Sequence, residues 1–504
     1  MLRAVGSALG RYEFVAHVYI AATGPHADEG YAWLRALWNE LGVRFGIAHA
    51  FENIPEELPA DVSVPSGDGV VAARKADGPA QRQAVVRRIG DVLCLSAVFA
   101  PPAGDRPTWD TLDGEWATAL PPRADGVLGS VRIVQAELAD PACSLDATAL
   151  GPVVGGLLVV PGDWAARGVV RAEPPWGSFA VWEASDHPVT DDRFDRRLVV
   201  IAPHGRGHEL SAWTWTYDRE LPPLARYLMH AAKVRFELRV WAADTSRSQL
   251  RRDTDRAIAR LLRLADQVRD GHEPDPAALM DVSVPLTRLQ AGELGLVDRA
   301  SRLRDMRRAV QVAATNMAAL ARNDQDGGLF ADDRDLAEWF QRQLDHDAGF
   351  LDSAAERART VAALGDQLVT RGLASHQERV NLGLTGVIGA VLLVLAAIQS
   401  LGYQFPLEPR VKDAVIPPAI AVSGAIALVL SMIVLRTASR RRALPAAVLS
   451  ASVSLLAAAA VWLGIAVVCV VTAVALPAPG VIAAWAGLGA VLAGTASYRV
   501  PSRR

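Results

Sequence analysis

The hydrophobic pattern of this chain changes period twice. Up to about residue 220, short apolar runs alternate with polar turns, which predicts strands with a few helices. Tyr12–Ala22 (YEFVAHVYIAA) reads as a strand, and His26–Gly42 as an amphipathic helix with Tyr31, Leu34, Leu37, Trp38 and Leu41 at helical spacing. A Pro/Glu-rich loop follows at Asn53–Pro65. Val70–Arg74 and Gln83–Phe99 are β-like, the second broken near Gly90-Asp91. Trp109–Leu120 fits a short helix, and Val131–Leu138, Phe179–Ala184, Arg197–Ala202 and Glu209–Tyr217 fit strands. Arg87-Arg88-Ile89 followed by Leu95-Ser96-Ala97 looks like Arg196-Arg197-Leu198 followed by Leu210-Ser211-Ala212. Two explanations stand here: a divergent duplication of an α+β unit, or two β-meanders that are alike by chance.

From Pro222 the period becomes helical. Leu224–Val268 reads as mostly helix, interrupted near Asp244-Thr245-Ser246, with a breaker at Gly271–Pro276. Pro285–Arg322 reads as a second long helix. Its Leu303, Met306, Val310, Ala313, Met317 and Leu320 follow the alternating three-four spacing of a coiled-coil seam. A third helix starts near Asp332 and continues the seam through Phe340, Leu344, Leu351, Ala354, Ala358, Val361 and Leu368, with Asp347 and Gly365 as departures. The breakers let these helices fold back into an antiparallel bundle. A stalk for oligomerisation or partner docking is the other reading.

The second change comes near residue 381, where charge all but disappears. A hydrocarbon core of about 30 Å needs about 20 apolar helical residues. Leu382–Ser400, Ala414–Leu435, Ala446–Leu476 and Val481–Tyr498 are the four runs of that kind. The expected fold class is therefore an α+β region over 1–220, with one unit or two similar ones, a helical bundle or stalk over 221–380, and an α-helical transmembrane bundle of about four spans over 381–504. The charged helix from about Leu351 leads almost directly into the first apolar run.

Charge adds an orientation. The net charge of −3 divides into +7 from Asn381 onward (nine Lys+Arg against Glu408 and Asp413) and −10 before it. The loop Arg436–Arg442 holds four arginines, and Arg499, Arg503 and Arg504 end the chain, while Leu401–Asp413 is nearly neutral. The positive-inside rule then places both termini in the cytoplasm of a multi-pass inner-membrane protein. The start of the chain agrees, because Arg3, Arg11 and Glu13 interrupt any signal-peptide core. An acidic region before the spans argues against nucleic-acid binding, which needs clustered cations.

Candidate chemistry is sparse. The chain lacks the GxxxxGK[ST], GxSxG and HExxH motifs. His204 and His208 are separated by Gly205-Arg206-Gly207, so the pair reads as a turn rather than a metal-binding helix face. Cys94, Cys143 and Cys469 are far apart with no CxxC pair, which argues against a disulfide framework or a cysteine zinc site. Cys94 sits in VLCLSAVF and reads as a packed thiol rather than a nucleophile. Trp176, Trp182, Trp213 and Trp215 form an aromatic region, either core or a partner-facing patch. The four apolar runs carry no ionisable residue of the kind that proton-coupled carriers place there. The expectation is a chain with no catalytic, cofactor-binding or metal-binding residues.

The stretch EFVAHVYIAATGP (13–25), the segment VVRRIGDVLCLSAVFAPP (85–102), the tryptophan helix Trp109–Trp116, the sheet segment FAVWEAS (179–185) and the helices that precede the apolar runs resemble CATRA proteins. These are caspase and tetratricopeptide-repeat (TPR) associated components of bacterial conflict systems. The resemblance covers most of residues 12–400 and is an overall pattern rather than a diagnostic motif. It implies a non-enzymatic component of a defence locus that partners a caspase-like protease, a TPR-repeat protein or both, beside the lipid bilayer, with a homo-oligomer open; it transfers no catalytic residue. A polar loop such as Asn323–Gly328 would suit protease cleavage. A second resemblance, in the order of cytoplasmic domain, long helix and span, is to CorA-type magnesium channels, which implies a homo-oligomeric cation channel. That family ends its first span with Gly-Met-Asn and has two spans. Here Leu401-Gly402-Tyr403-Gln404-Phe405 follows the first of four apolar runs.

Overall fold

A computed structural model describes residues 8–63, 67–102, 109–158, 160–173, 175–184, 193–215, 220–272, 276–321, 330–403, 409–438, 446–472, 474–475 and 477–498. The chain divides into two compact units, Met1–Arg256 with Thr287–Ala358, and Ala257–Leu286 with Arg359–Arg504.

The first unit is built on one nine-stranded sheet. Its strands are β1 (Leu9–Ala21), β2 (His49–Ala50), β3 (Gly69–Lys75), β4 (Gln81–Ile89), β5 (Val92–Ala100), β6 (Val127–Leu138), β7 (Val169–Glu173), β8 (Gly177–Glu183) and β9 (Asp195–Ala202). They lie in the order β2-β3-β4-β5-β1-β6-β9-β8-β7. Every neighbour pair is antiparallel except β6 with β9. β1 is central and buried on both faces, so it reads as a continuous apolar run rather than an alternating one. Phe14, Ala16, Val18 and Ile20 enter the main hydrophobic core with α1 (Ala27–Phe45), α2 (Trp109–Ala119) and α3 (Ala147–Gly155). Val15, His17 and Tyr19 alternate with them onto the other face.

Local chemistry sets the element ends. The αL residue Gly46 (φ 67°) stops α1 and returns its N–H to the Leu41 carbonyl. Asp146 caps α3 by accepting from the amides of Thr148 and Ala149. Gly90 (φ 57°) turns β4 into β5 where the sequence breaks. Gly168 has no room for a Cβ, which would lie 1.9 Å from the indole nitrogen of Trp182.

On the second face lie α4 (Gly207–Thr214) and α5 (Pro223–Ala243), and α5 packs on β6, β1 and α8 (Leu296–Leu320). The remaining helices are α6 (Ser246–Arg269), α7 (Pro276–Ala291), α9 (Ala331–Tyr403), α10 (Pro409–Ala438), α11 (Ala446–Val471) and α12 (Pro479–Tyr498). The break between α5 and α6 falls where Asp244-Thr245-Ser246 predicts it. Of the seam positions, Leu303, Val310, Ala313 and Met317 of α8 and Phe340, Leu344, Leu351, Ala354, Ala358 and Leu368 of α9 are buried, whereas Met306, Leu320 and Val361 are half-buried.

Two local expectations are corrected. Glu209–Tyr217 is not a strand, because its described part lies in or directly after helix α4; residues 216–219 fall outside the described set. Leu210, Trp213 and Thr214 are buried at i, i+3 and i+4, a helical face that the neighbouring aromatic residues disguise as alternation. Leu210–Ala212 is thus helical, whereas Leu95–Ala97 is in β5, so those two compared segments differ in structure. The single helix expected over Pro285–Arg322 is two helices, α7 and α8, separated at Gly292–Gly295 with Leu294 at φ 63°. β7 and α3 are not among the elements expected from sequence, and α3 carries Pro152 in its interior.

In the second unit, α10 packs on α11 and α11 on α12. Gly365, a departure from the seam, fits against Leu261: a Cβ there would lie 3.0 Å from the leucine methyl. Among the described residues, two helices are long and apolar enough to cross a membrane, over Asp413–Leu430 and Ser450–Val471. A third apolar stretch, Pro479–Ala493, is shorter. The run expected over 446–476 ends as helix at Val471, ahead of Pro477.

Candidate functional site

The sheet face opposite the main core carries polar side chains where a strand-packing pattern calls for apolar ones. Register brings them together. β1 places His17 opposite Ser96 and Tyr19 opposite Cys94, and β4 places Arg87 opposite the same Cys94. His17 Nδ1 lies 2.9 Å from Ser96 Oγ, and His17 Nε2 lies 3.0 Å from the Thr214 carbonyl of α4. A carbonyl only accepts, so Nε2 carries the proton and Nδ1 accepts from the serine hydroxyl. Burial lowers the His17 pKa to about 4, so the ring is neutral.

A serine hydroxyl on a histidine nitrogen is the arrangement of an activated nucleophile. Here both residues have no solvent exposure, so no substrate carbonyl can reach the serine oxygen. Cys94 Sγ, 3.7 Å from Ser96 Oγ, is equally sealed, and burial pushes its thiol up to about 12. The group fastens α4 to the sheet. The fastening continues from Thr214 Oγ1 to Gln135 Oε1 (2.5 Å), from Gln135 Nε2 to Glu13 Oε2 (2.5 Å), and from the Ser211 hydroxyl to the same carboxylate (2.8 Å).

A second buried polar group joins the sheet to the start of α9. Asp333, in the first turn of α9, is fully buried. It accepts a 2.8 Å hydrogen bond from Arg196 Nη1 of β9. Arg235 of α5 places Nη1 2.6 Å from Asp333 Oδ1, as an ion contact rather than an aligned hydrogen bond. Glu183 of β8 accepts from Arg196 Nε at 2.8 Å and from Arg193 Nη1 at 3.1 Å. Burial alone would raise the Asp333 pKa, but the Arg196 and Arg235 guanidiniums overcome it and hold it at about 2. The carboxylate also suits its place at a helix N-terminus, where the backbone dipole favours negative charge. Tyr227 of α5 closes the group, donating to the Phe330 carbonyl at 3.2 Å with the two rings 4.0 Å apart.

One turn after the seam residue Leu344, Asp347 accepts from Trp241 Nε1 at 2.9 Å and from Arg247 Nη1 at 2.8 Å. This departure from the seam therefore ties α9 to the α5–α6 corner.

The residues singled out from sequence do not assemble into a site. His204 Nδ1 meets the Leu138 carbonyl at 3.0 Å, and neither His204 nor His208 joins a cluster of metal-ligating groups among the described residues. The one such cluster there, His26, Glu29 and Asp125, is exposed. Trp182 and Trp213 are core, the first donating to the Ala165 carbonyl at 3.0 Å and the second stacked 5.1 Å from Phe179. Trp215 is buried, and Trp176 is half-buried. The polar loop Asn323–Gly328 lies outside the described residues. Sequence reasoning missed His17, Ser96, Arg196, Arg235 and Asp333. The available signal was a polar or basic residue interrupting an apolar face, as Arg196 does before Leu198 and Val200, and Arg235 does after Val234.

Comparison with known proteins covers most of this architecture. Residues 13–218 match the family model CATRA-N, the CASPASE and TPR Repeat-Associated N-terminal domain. Residues 222–358 match CATRA-C, the corresponding C-terminal domain. No curated protein and no solved structure matches the chain.

Proposed function

This chain belongs to the CASPASE and TPR Repeat-Associated (CATRA) family, and from that premise we propose that it is a membrane-anchored, non-enzymatic component of a bacterial conflict system. Its α+β and helical regions bind a caspase-like protease or a TPR-repeat adaptor and couple that partner to the lipid bilayer. The observation that carries this reading is the order along the chain: both CATRA domains, ending at residue 358, precede two helices long and apolar enough to cross a membrane. Four spans near 382–400, 414–435, 446–476 and 481–498, with both termini cytoplasmic, are the topology that the arginine distribution favours. The domain limits proposed with it are 1–220, 221–380 and 381–504. The non-enzymatic role is supported by the closure of the Ser96–His17 pair and by the high thiol pKa of Cys94.

The test is affinity purification of the tagged full chain from its own host in mild detergent, with crosslinking and mass spectrometry. A caspase-like protease or TPR-repeat protein crosslinked to residues 13–358 is the expected result. Recovery of self-crosslinked copies alone, together with cation flux in vesicles lacking any partner, would replace this reading by a homo-oligomeric channel.

A further inference from the structure

One cavity in the first unit has a polar character that nothing described so far explains. It is a groove of about 1410 Å³ between the β3–β4 end of the sheet, the start of α5 and the end of α8. It shares His230 and Asn316 with a second cavity of about 410 Å³, so the two form one elongated depression. Its floor includes Arg87. On β4 that side chain lies on the same face as Val85 and Ile89, a position that period-two patterning assigns to an apolar residue. Arg87 is only 6% exposed, and its Nε and Nη1 are sealed from water with no acceptor. A guanidinium is always a donor and never an acceptor, so these groups call for an acceptor, and a carboxylate oxygen supplies both the acceptor and the opposite charge. Burial correspondingly lowers its pKa, with no carboxylate opposing.

The opposite wall repeats the deficit. Arg226 Nε is buried without an acceptor, and one turn further His230, 8% exposed, has an unbonded Nδ1. Three carboxylates also line the larger cavity, of which two are occupied, and the smaller one adds Glu237 and Asp91, the latter held by Lys233. Asp68 accepts from the Gly90 amide at 2.7 Å, and Glu220 accepts from Arg226 Nη2 at 2.7 Å; Glu52 is exposed. Apolar wall comes from Ile54, Val70, Trp215, Leu221 and Met229. Buried polar groups are ordinarily paired, and an unpaired buried cation beside an open cavity calls for a ligand that brings the missing acceptor. The volume exceeds the roughly 300–1,000 Å³ of small-molecule sites, which favours a polypeptide segment.

We propose that this groove docks an extended segment of a partner protein whose aspartate or glutamate carboxylate pairs with Arg87 while flanking apolar side chains cover Trp215 and Met229. The inference deepens the partner-binding reading above and rests on it for the partner's identity, while the groove's chemistry stands by itself.

The test uses the full chain in detergent and a fluorescent eight-residue peptide alternating valine and glutamate, which puts all its carboxylates on one side when extended. The control peptide has lysine in place of glutamate. The acidic peptide is expected to bind at least tenfold more tightly than the control. Arg87→Met should weaken it at least tenfold and raise the thermal midpoint, because an unpaired buried charge is removed. Arg226→Met, nearer the rim, should weaken it several-fold and serves as the reporter if Arg87→Met does not fold. Equal binding of the two peptides, or unchanged binding by both variants, overturns the proposal. Recovery of a caspase-like or TPR-repeat partner by Arg87→Met at the wild-type yield overturns the groove as the docking site and leaves the conflict-system reading intact. Arg87-dependent peptide binding with no such partner recovered by the wild type supports the groove and overturns that reading.

Discussion

His17 holds its place through both ring nitrogens, and protonation would destroy one of those two bonds. Unfolded, the imidazole titrates near 6.5; folded, it titrates near 4. Between those values the unfolded chain binds a proton that the folded chain refuses. Its contribution is therefore complete above pH 6.5 and is lost as pH falls toward 4, by about 3 kcal/mol. His230, also lowered to about 4 by burial, acts in the same direction. Glu237, raised to about 7 by burial, acts in the opposite one: its contribution is present below 4.5 and lost as pH rises through 7. Comparing denaturation midpoints of wild type and His17→Gln at pH 7.5 and pH 4.5 isolates the first effect, and the variant should show the smaller drop. Cys94 gives a second residue-scale outcome. With a buried thiol near 12, it should resist a thiol reagent at pH 8 until denaturant is added, while exposed Cys143 reacts at once. The burial of Cys94 is legible in VLCLSAVF. The partner of His17 is not, because a backbone carbonyl almost two hundred residues away leaves no side-chain signature.

At the scale of elements, the helix α9 begins where two strands and one helix deliver charge to one point. Replacing Asp333 with asparagine keeps the volume and leaves Arg196 and Arg235 buried with less than their compensation. The expected loss is on the order of 3–5 kcal/mol, read as a lower thermal midpoint and faster amide exchange over the first turns of α9. Arg193→Met should cost far less, because its second partner, Asp332, is largely exposed. The most legible elements are β1, from its long apolar run, α1, from its helical face, and the β4–β5 hairpin, from the break at Gly90, and all three appear where their patterns put them. α4 was misread because an aromatic alternation competes with a short helical face. The burial of Arg196 and Asp333 was invisible because each supplies the other's environment from 137 positions away.

For the whole molecule, the decisive quantity is how much of the apolar C-terminal region enters lipid. With α10 and α11 inserted, the full chain should stay in the membrane pellet after alkaline carbonate extraction. A chain ending after Tyr403 would test whether the run before it holds the protein there unaided. Release of the intact chain by carbonate would remove the membrane anchor from the reading. Maleimide labelling of a cysteine placed among Arg440, Arg441 and Arg442 should occur from the cytoplasmic side only. Composition and hydropathy made these helices legible, but they do not encode which of them meets lipid, because burial against protein and burial in a bilayer select the same residues.

The Arg196–Asp333–Arg235 knot has a kinetic corollary. Fraying of an ordinary helix end is graded, since each broken hydrogen bond is replaced by one to water. Here the first turn of α9 cannot loosen by degrees, because a partial opening would strand Asp333 or Arg235 without partner or solvent, while Arg196 keeps Glu183. Asp333 and Arg235 rehydrate together or not at all. The start of α9 is thus a latch with a threshold, and its amides should exchange in correlated bursts with those around Arg235 in α5.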